Sequence, residues 1–353
     1  MDGHGTKQGP PLKKAGAAKP EARVGVGLVG CGYWGKNLAR NFHQLGALDW
    51  VCDESAAVLE GVKAAYPGVR TSRRYQKLLE DPKLQAVALA SPAAQHHAMA
   101  KAALLAGKDV FVEKPIALRI KDAEELVALA RKKKRVLMVG HILEYHPAVL
   151  KLKELLDAGE LGEIHYVYSN RANLGKVRHE ENILWSFAPH DISVILLLVG
   201  KDPEWATTSG QSYLRHDVAD VTMTCLGFPG LARAHIFVSW LHPLKEQKLV
   251  VIGSRKMAIF DDVAKDAKLK IFDKGIDMRD GRPVVRQTSE STLFFPDMEP
   301  LREELRHFLD CIRTRHTPRT DGENGLRVLR VLDACQRSLE SGGAPVRLGK
   351  GKR

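Results

Sequence analysis

The chain has 353 residues, 44% of them hydrophobic and 27% charged, the mix of an ordinary globular protein with length enough for two domains. Its longest apolar run, Ile192 to Val199, holds eight residues including Ser193, against the ~20 that a membrane span needs, so no membrane partner is expected. The formal charge is +12, but residues 1–23 carry +3 and residues 347–353 carry +4, leaving only +5 on the body and arguing against a nucleic-acid partner.

Residues 1–22, rich in Gly, Lys, Pro and Ala and without the apolar core of a signal peptide, read as a disordered extension. From Arg23 onward, short apolar runs alternate with helical patterns. Val24–Val29, Trp50–Cys52, Ala86–Leu89, Val110–Val112 and Val136–Val139 predict buried strands. Between them Lys36–Gln44, Ser55–Ala65, Arg74–Leu79, Gln95–Leu105 and Lys121–Lys134 predict helices. This alternation implies a doubly wound parallel sheet, an α/β domain over residues 23–145.

The pattern then changes. Ala232, Ala234, Ile236, Val238 and Trp240 alternate with Arg233, His235, Phe237 and Ser239, and Lys248–Ile252, Met257–Phe260 and Lys268–Phe272 follow as short strands. A mainly antiparallel open sheet with one buried face is expected in an α+β domain over residues 146–346, whose free face predicts a homodimer or homotetramer. Leu301, Leu305, Phe308, Leu309 and Ile312 mark one closing helix that packs back, and residues 324–339 a second; residues 347–353 are a basic tail. Cys31, Cys52, Cys225, Cys311 and Cys335 are odd in number and show no C-x-x-C pair, so neither a metal site nor a disulfide framework is expected, and a reducing, cytoplasmic setting fits.

Gly30-Cys31-Gly32-Tyr33-Trp34-Gly35 is a G-x-G-x-x-G string between a predicted strand and a predicted helix, the context that dinucleotide binding requires. Gly30 permits the tight turn, Gly32 lets backbone approach a pyrophosphate, and Gly35 allows close helix packing, with helix N–H groups facing the phosphates. Asp53, eighteen residues past Gly35, is placed to bind ribose hydroxyls, which favours NAD over NADP; Arg70, Arg73 and Arg74 weaken that preference if they fold nearby. Glu113-Lys114-Pro115 directly follows a core strand, at the end of the sheet that faces ligands. There Lys114 either holds a substrate hydroxyl or is an ordinary exposed lysine.

Gly32-Tyr33-Trp34-Gly35-Lys36-Asn37, Glu113-Lys114-Pro115 and Ala188-Pro189-His190-Asp191 together resemble the Gfo/Idh/MocA oxidoreductase family over roughly residues 23–346, and Trp185-Ser-Phe-Ala-Pro-His-Asp is most similar to its nucleotide-sugar branch. The resemblance implies NAD-dependent oxidation of the 3″-hydroxyl of a UDP-sugar, UDP-N-acetylglucosaminuronic acid first, with Lys114 and His190 as the catalytic pair. It also implies cofactor contacts from Tyr33, Trp34, Glu113 and the Ser91-Pro92 loop. Independently, Pro189 suits the first turn of a helix, which would set His190 at the positive end of the dipole and keep its ring neutral. Many relatives carry Asp four residues before this histidine, where this chain has Ser186, a departure that disfavours inositol-type chemistry. The stretch Arg171-Ala-Asn173-Leu-Gly-Lys176-Val-Arg178-His179 offers three positive charges to an anionic substrate, or is a solvated loop. Gly140-His141 and Tyr145-His146-Pro147 begin the crossover between domains and are expected to line the site. His96 and His97 are expected to be structural. Substrate contacts are expected from Tyr145, Arg171, Asn173, Lys176 and Ser186. Two alternatives stand beside this reading: an NAD(P)-dependent dehydrogenase of a free sugar or polyol such as inositol, and a non-catalytic cofactor-binding regulator.

Overall fold

The computed structural model describes residues 23–175, 177–178, 181–296 and 298–349. The first part of the chain runs β1 (Val26–Val29), α1 (Gly35–Gln44), β2 (Leu48–Cys52), α2 (Ala56–Ala65), β3 (Arg70–Ser72), α3 (Gln76–Glu80), β4 (Ala86–Leu89), α4 (Ala93–Leu105), β5 (Asp109–Glu113), α5 (Ile120–Lys133) and β6 (Leu137–Gly140). All six strands are parallel, in the order β3-β2-β1-β4-β5-β6. β1, β4 and β6 are buried along their whole length, which is why they read in the sequence as continuous apolar runs. The strand order reverses between β1 and β4, the switch point where such sheets open a ligand crevice beyond their carboxyl ends.

A 3₁₀ turn (Ile142–Tyr145) leads through α6 (Pro147–Asp157), β7 (Ile164–Leu174) and α7 (Ile183–Val199) into β8 (Trp205–Gln211), β9 (Val221–Gly227), β10 (Arg233–Ser239), β11 (Leu241–Gly253), β12 (Met257–Asp261), β13 (Leu269–Arg279) and β14 (Arg282–Leu293). Then α8 (Pro300–Thr314), α9 (Gly322–Glu340) and β15 (Val346–Arg347) complete the described chain. The second sheet has nine strands, ordered β14-β13-β12-β11-β7-β10-β9-β8-β15. β7 and β10 pair in parallel and the other pairs are antiparallel, so the sheet is mixed but mainly antiparallel, as expected. Ala234, Ile236 and Val238 of β10 are buried under α7, while Arg233 and His235 stand on the open face, where His235 stacks on Tyr168 at 5.1 Å.

Six strands, β3, β7, β8, β9, β14 and β15, escaped the apolar pattern, and for β3, β7 and the arm that holds β14 the physical reason is plain. β3 is a three-residue edge strand of polar residues held by its backbone pairing to β2. β12 pairs only with Leu269–Phe272 of β13, so the rest of β13 and most of β14 extend as a two-stranded arm with little burial to pattern its side chains. β7 begins with exposed His165 and Tyr166 and carries the buried polar Ser169 and Arg171, so it lacks a clean alternation.

The two closing helices return to the first sheet. Leu301, Leu305, Phe308, Leu309 and Ile312 of α8 are buried in its core, with Phe308 against Phe111 at 5.7 Å. α9 is shared: Leu326 and Leu329 join the core of the first sheet, and Val328, Val331 and Leu332 that of the second. Gly325 sets how closely α9 approaches β6, since a Cβ there would fall 2.5 Å from Val139 Cγ2. Gly325→Val is therefore expected to destabilise the protein by about 1–3 kcal/mol through overpacking, read as a lowered urea midpoint with an unchanged slope.

Candidate active site

The Gly-rich turn is built as its spacing predicts. Gly30 has φ +83°, and a Cβ on it would strike Ala90 O at 2.8 Å. A Cβ on Gly35 would fall 2.0 Å from Gly30 O, so only glycine lets α1 start against the turn. Around the Cβ position of Gly32 there is open space within 4 Å among the described residues, on the side where a pyrophosphate would approach. Asp53 caps the end of β2: its carboxylate accepts from Cys31 N at 2.8 Å and from Ser55 N at 2.9 Å, drawing it against the turn. Arg73 reaches the neighbouring Glu54 carbonyl at 2.9 Å, whereas Arg70 turns away to Asp81 at 2.5 Å. Tyr33 lies exposed at the mouth of the turn, and Trp34 Nε1 donates to Glu113 Oε1 at 2.5 Å. Turn, acid and open cradle fit a dinucleotide.

Across the switch point, His96 of α4 ties the two loops beside the crevice. Its ring nitrogens lie 2.9 Å from Ser91 O and 2.8 Å from Pro115 O, so it is structural, as expected, and fixes the Ser91-Pro92 turn relative to Lys114. His97 likewise pairs with Glu125 at 2.7 Å. Lys114 leaves the end of β5 and donates from Nζ to Ser186 O of α7 at 2.9 Å, which places it one helical turn before His190. Burial above all lowers the Lys114 ammonium from its usual 10.5, with Glu181 pulling it back up and Arg178 pushing it further down. His190 is lowered well below 6.5, first by burial and then by the charges of Lys114 and Arg171. The ring is therefore neutral at pH 7.

The cause is not the one expected from the sequence. Pro189 lies inside α7, whose N-cap is Asn182, so His190 is the eighth helical residue, beyond the first turn where the dipole acts. Pro189 instead deprives the Trp185 carbonyl of its helical N–H partner. Nδ1 of His190 is buried without a hydrogen-bond partner among the described residues, as is Oγ of Ser186.

The rest of the predicted substrate set divides. Arg171 belongs to β7, not to a loop, and its Nε donates to buried Asp191 at 2.9 Å while Ser169 Oγ donates to the other oxygen at 2.5 Å. Inward alternation at the sheet centre commits that guanidinium to Asp191. Asn173 lies further along the same strand with Oδ1 buried and unpaired among the described residues. Lys176 and His179 fall outside the described residues. Arg178 pairs with Glu181 at 3.3 Å and retains exposure. Tyr145 is misplaced by the sequence reading: it is buried, its hydroxyl meets Thr320 Oγ1 at 3.2 Å, and Arg319 covers its ring, so it packs under α8 rather than facing a substrate. His146 caps α6 by accepting from Ala148 N at 3.1 Å and packs on Phe260.

Two buried acids had no signal in the sequence. Glu304 lies within the apolar stripe of α8, fully buried with both oxygens unpaired among the described residues, and burial raises it well above 4.5. Glu144, in the 3₁₀ turn, is pushed up to about 8 by burial, and Glu113 to about 7.

Two family models match the chain: an oxidoreductase family with an NAD-binding Rossmann fold over residues 24–141, and a GFO/IDH/MocA C-terminal domain over residues 149–259. A crystal structure from Magnetospirillum magnetotacticum MS-1 is 31% identical, covers 89% of this chain and 100% of its own, and superposes with a TM-score of 0.76. The chain belongs to the Gfo/Idh/MocA family. UDP-N-acetylglucosamine 3-dehydrogenase of Acidithiobacillus ferrooxidans is 26% identical over 86% of this chain and 93% of its own, and its crystal structure superposes with a TM-score of 0.80. Myo-inositol 2-dehydrogenase of Thermotoga maritima is 24% identical over 89% of this chain and 96% of its own. This Gfo/Idh/MocA protein is an oxidoreductase whose first domain binds NAD, which sets aside the non-catalytic alternative.

Glu113 gives this Gfo/Idh/MocA protein a pH-dependent stability. A carboxyl that ionises near 4.5 unfolded and near 7 folded binds more protons in the folded state between those values, so stability falls as pH rises through that window and then levels off. Glu113→Gln is expected to raise the melting temperature of the cofactor-free protein at pH 8, by up to roughly 3 kcal/mol of stability, and to leave it unchanged at pH 4. Calorimetry at the two pH values checks this.

Proposed function

We propose that this protein oxidises a ring hydroxyl of a UDP-sugar to a ketone, with UDP-N-acetylglucosaminuronic acid as first candidate and C3″ as the oxidised position. The observation that carries the reading is the bond from Lys114 Nζ to Ser186 O, which brings an ammonium and a neutral imidazole, His190, to one buried place beyond the nucleotide turn. His190 takes the proton of the substrate hydroxyl as general base. Lys114 donates a hydrogen bond to the same oxygen and stabilises the negative charge that develops there. NAD, when bound, accepts the hydride that leaves the carbon. Gly30, Gly32, Gly35 and Asp53 would hold it, with Tyr33, Trp34, Ser91, Pro92 and Glu113 around it.

Relatives of known name include a nucleotide-sugar 3-dehydrogenase and an inositol dehydrogenase at similar identity. The substitution of Ser186 at the position of the inositol-type carboxylate favours the former. For an anionic substrate Arg178 is the more accessible cation, because its pair with Glu181 is partly exposed whereas Arg171 is buried against Asp191. The open face of the nine-stranded sheet, with exposed Tyr166 and Met223, supports a homodimer or homotetramer.

Mass spectrometry of products after incubation with NAD and 2-oxoglutarate, in parallel with UDP-N-acetylglucosaminuronic acid, UDP-N-acetylglucosamine and myo-inositol, tests the substrate. A product two hydrogens lighter from the uronate is expected; oxidation of inositol alone would replace the reading by the polyol one. Lys114→Met and His190→Asn are each expected to lower kcat at least 100-fold while NAD still binds in a fluorescence titration. The acid limb of kcat/KM should lie below pH 6.5 in the wild type, following the lowered His190, and be absent from the residual activity of His190→Asn.

A further inference from the structure

The register of the parallel sheet puts a second imidazole beside Lys114. Glu113 of β5 pairs with Gly140 of β6, so the next residues, Lys114 and His141, leave adjacent strands at matching positions. Strand alternation sends both to the face opposite Glu113. His141 is almost fully buried, yet neither Nδ1 nor Nε2 has a hydrogen-bond partner among the described residues. Burial and the nearby Lys114 charge lower it to about 3, so it is a neutral ring with one unused donor and one unused acceptor. Lys114 Nζ reaches Ser186 O at 2.9 Å, one turn before His190 in α7, so α7 crosses the same end of the sheet.

Leaving a buried polar atom unsatisfied destabilises the fold, and a residue with two such atoms needs an explanation. Nothing among the described residues supplies one: an aromatic hydrocarbon of the same shape would fill the position without that cost. His141, Ser186 Oγ, His190 Nδ1 and Asn173 Oδ1 are all buried and unpaired among the described residues. The two ring nitrogens of His141 point in different directions, so one occupant group pairs with only one of them, and a sugar hydroxyl, which both donates and accepts, can serve whichever nitrogen faces the site in either tautomer.

We propose that His141 is a specificity-determining residue that binds a second hydroxyl of the substrate ring, on a carbon next to the one oxidised at Lys114 and His190. Neighbouring strands lie about 4.8 Å apart, so groups rooted at matching positions on β5 and β6 meet oxygens on neighbouring ring carbons. This deepens the reading above and rests on it for the identity of the ring. A substrate lacking that hydroxyl would leave the ring nitrogen that faces it desolvated and unpaired, which is how a buried polar site rejects an analogue.

The test uses the full chain with His141→Phe and His141→Gln. In the cofactor-free protein His141→Phe is expected to melt at the same temperature or higher, because it removes two unpaired polar atoms at nearly constant shape. With whichever of UDP-N-acetylglucosaminuronic acid, UDP-N-acetylglucosamine or myo-inositol the wild type oxidises, His141→Phe should raise KM at least tenfold and lower kcat much less, and His141→Gln should recover part of the loss. For either UDP-sugar, the 4-deoxy analogue should be penalised in the wild type and not further in His141→Phe. A fall of several degrees in the melting temperature of His141→Phe would show a structural histidine satisfied by buried water and overturn the proposal, as would an unchanged KM. Should the wild type oxidise none of the three compounds, the substrate reading fails separately, and the melting comparison still decides the role of His141.

Discussion

The site depends on one hydrogen bond between distant parts of the chain, Lys114 Nζ to Ser186 O, across 72 residues. Lys114 is held by the end of β5, whose neighbours on both sides are core strands, and Ser186 by α7, which is buried along most of its length beneath the second sheet. Neither element is free to adjust, so the ammonium sits where two rigid layers meet. That meeting is stabilised elsewhere: α8 and α9 carry apolar stripes back onto the first sheet, and α9 is buried in both cores. The last helices in sequence thus hold together the first and middle parts that make the chemistry.

The electrostatics follow from the same packing. A base must be neutral, and a ring at the eighth position of α7 obtains little from the helix dipole. Desolvation does the larger part, and the positive charges of Lys114 and Arg171 add to it. Arg171 would be costly to bury alone; Asp191, next to His190 in sequence, accepts from it and from Ser169. A pair of this kind contributes little net stability against an apolar replacement, but it fixes a charge in place beside the imidazole. The buried carboxyls Glu113, Glu144 and Glu304 are all raised, with burial the largest cause in each.

Much of the fold was legible because its strands are buried on both faces or on one, and burial writes a pattern. Ala86–Leu89 matches β4 residue for residue, and the alternation around Ile236 marks β10 and its two faces. Edge and protruding elements bury little, and there the signal vanished: β3, the β13–β14 arm and the polar centre of β7 are held by backbone pairing. The misreading of Arg171 as a loop charge and of Tyr145 as a substrate contact share one origin. A polar or amphipathic side chain near a motif looks available until its partner is known, and the partners, Asp191 and Thr320, lie 20 and 175 residues away.

By itself the sequence determined the local requirements. The Gly30–Gly35 turn demands glycine for reasons of backbone and close approach that hold wherever the chain goes, and Asp53, Lys114 and His190 are named by their place after strands or within a motif. Tertiary structure alone decided which polar atoms are left unpaired. Whether His141, Ser186 and His190 face water, the core or a common cavity depends on the register of β5 against β6 and on how α7 lies across their ends. Burial and hydrogen-bond satisfaction are properties of neighbours, and neighbours distant in sequence are chosen only when the layers pack.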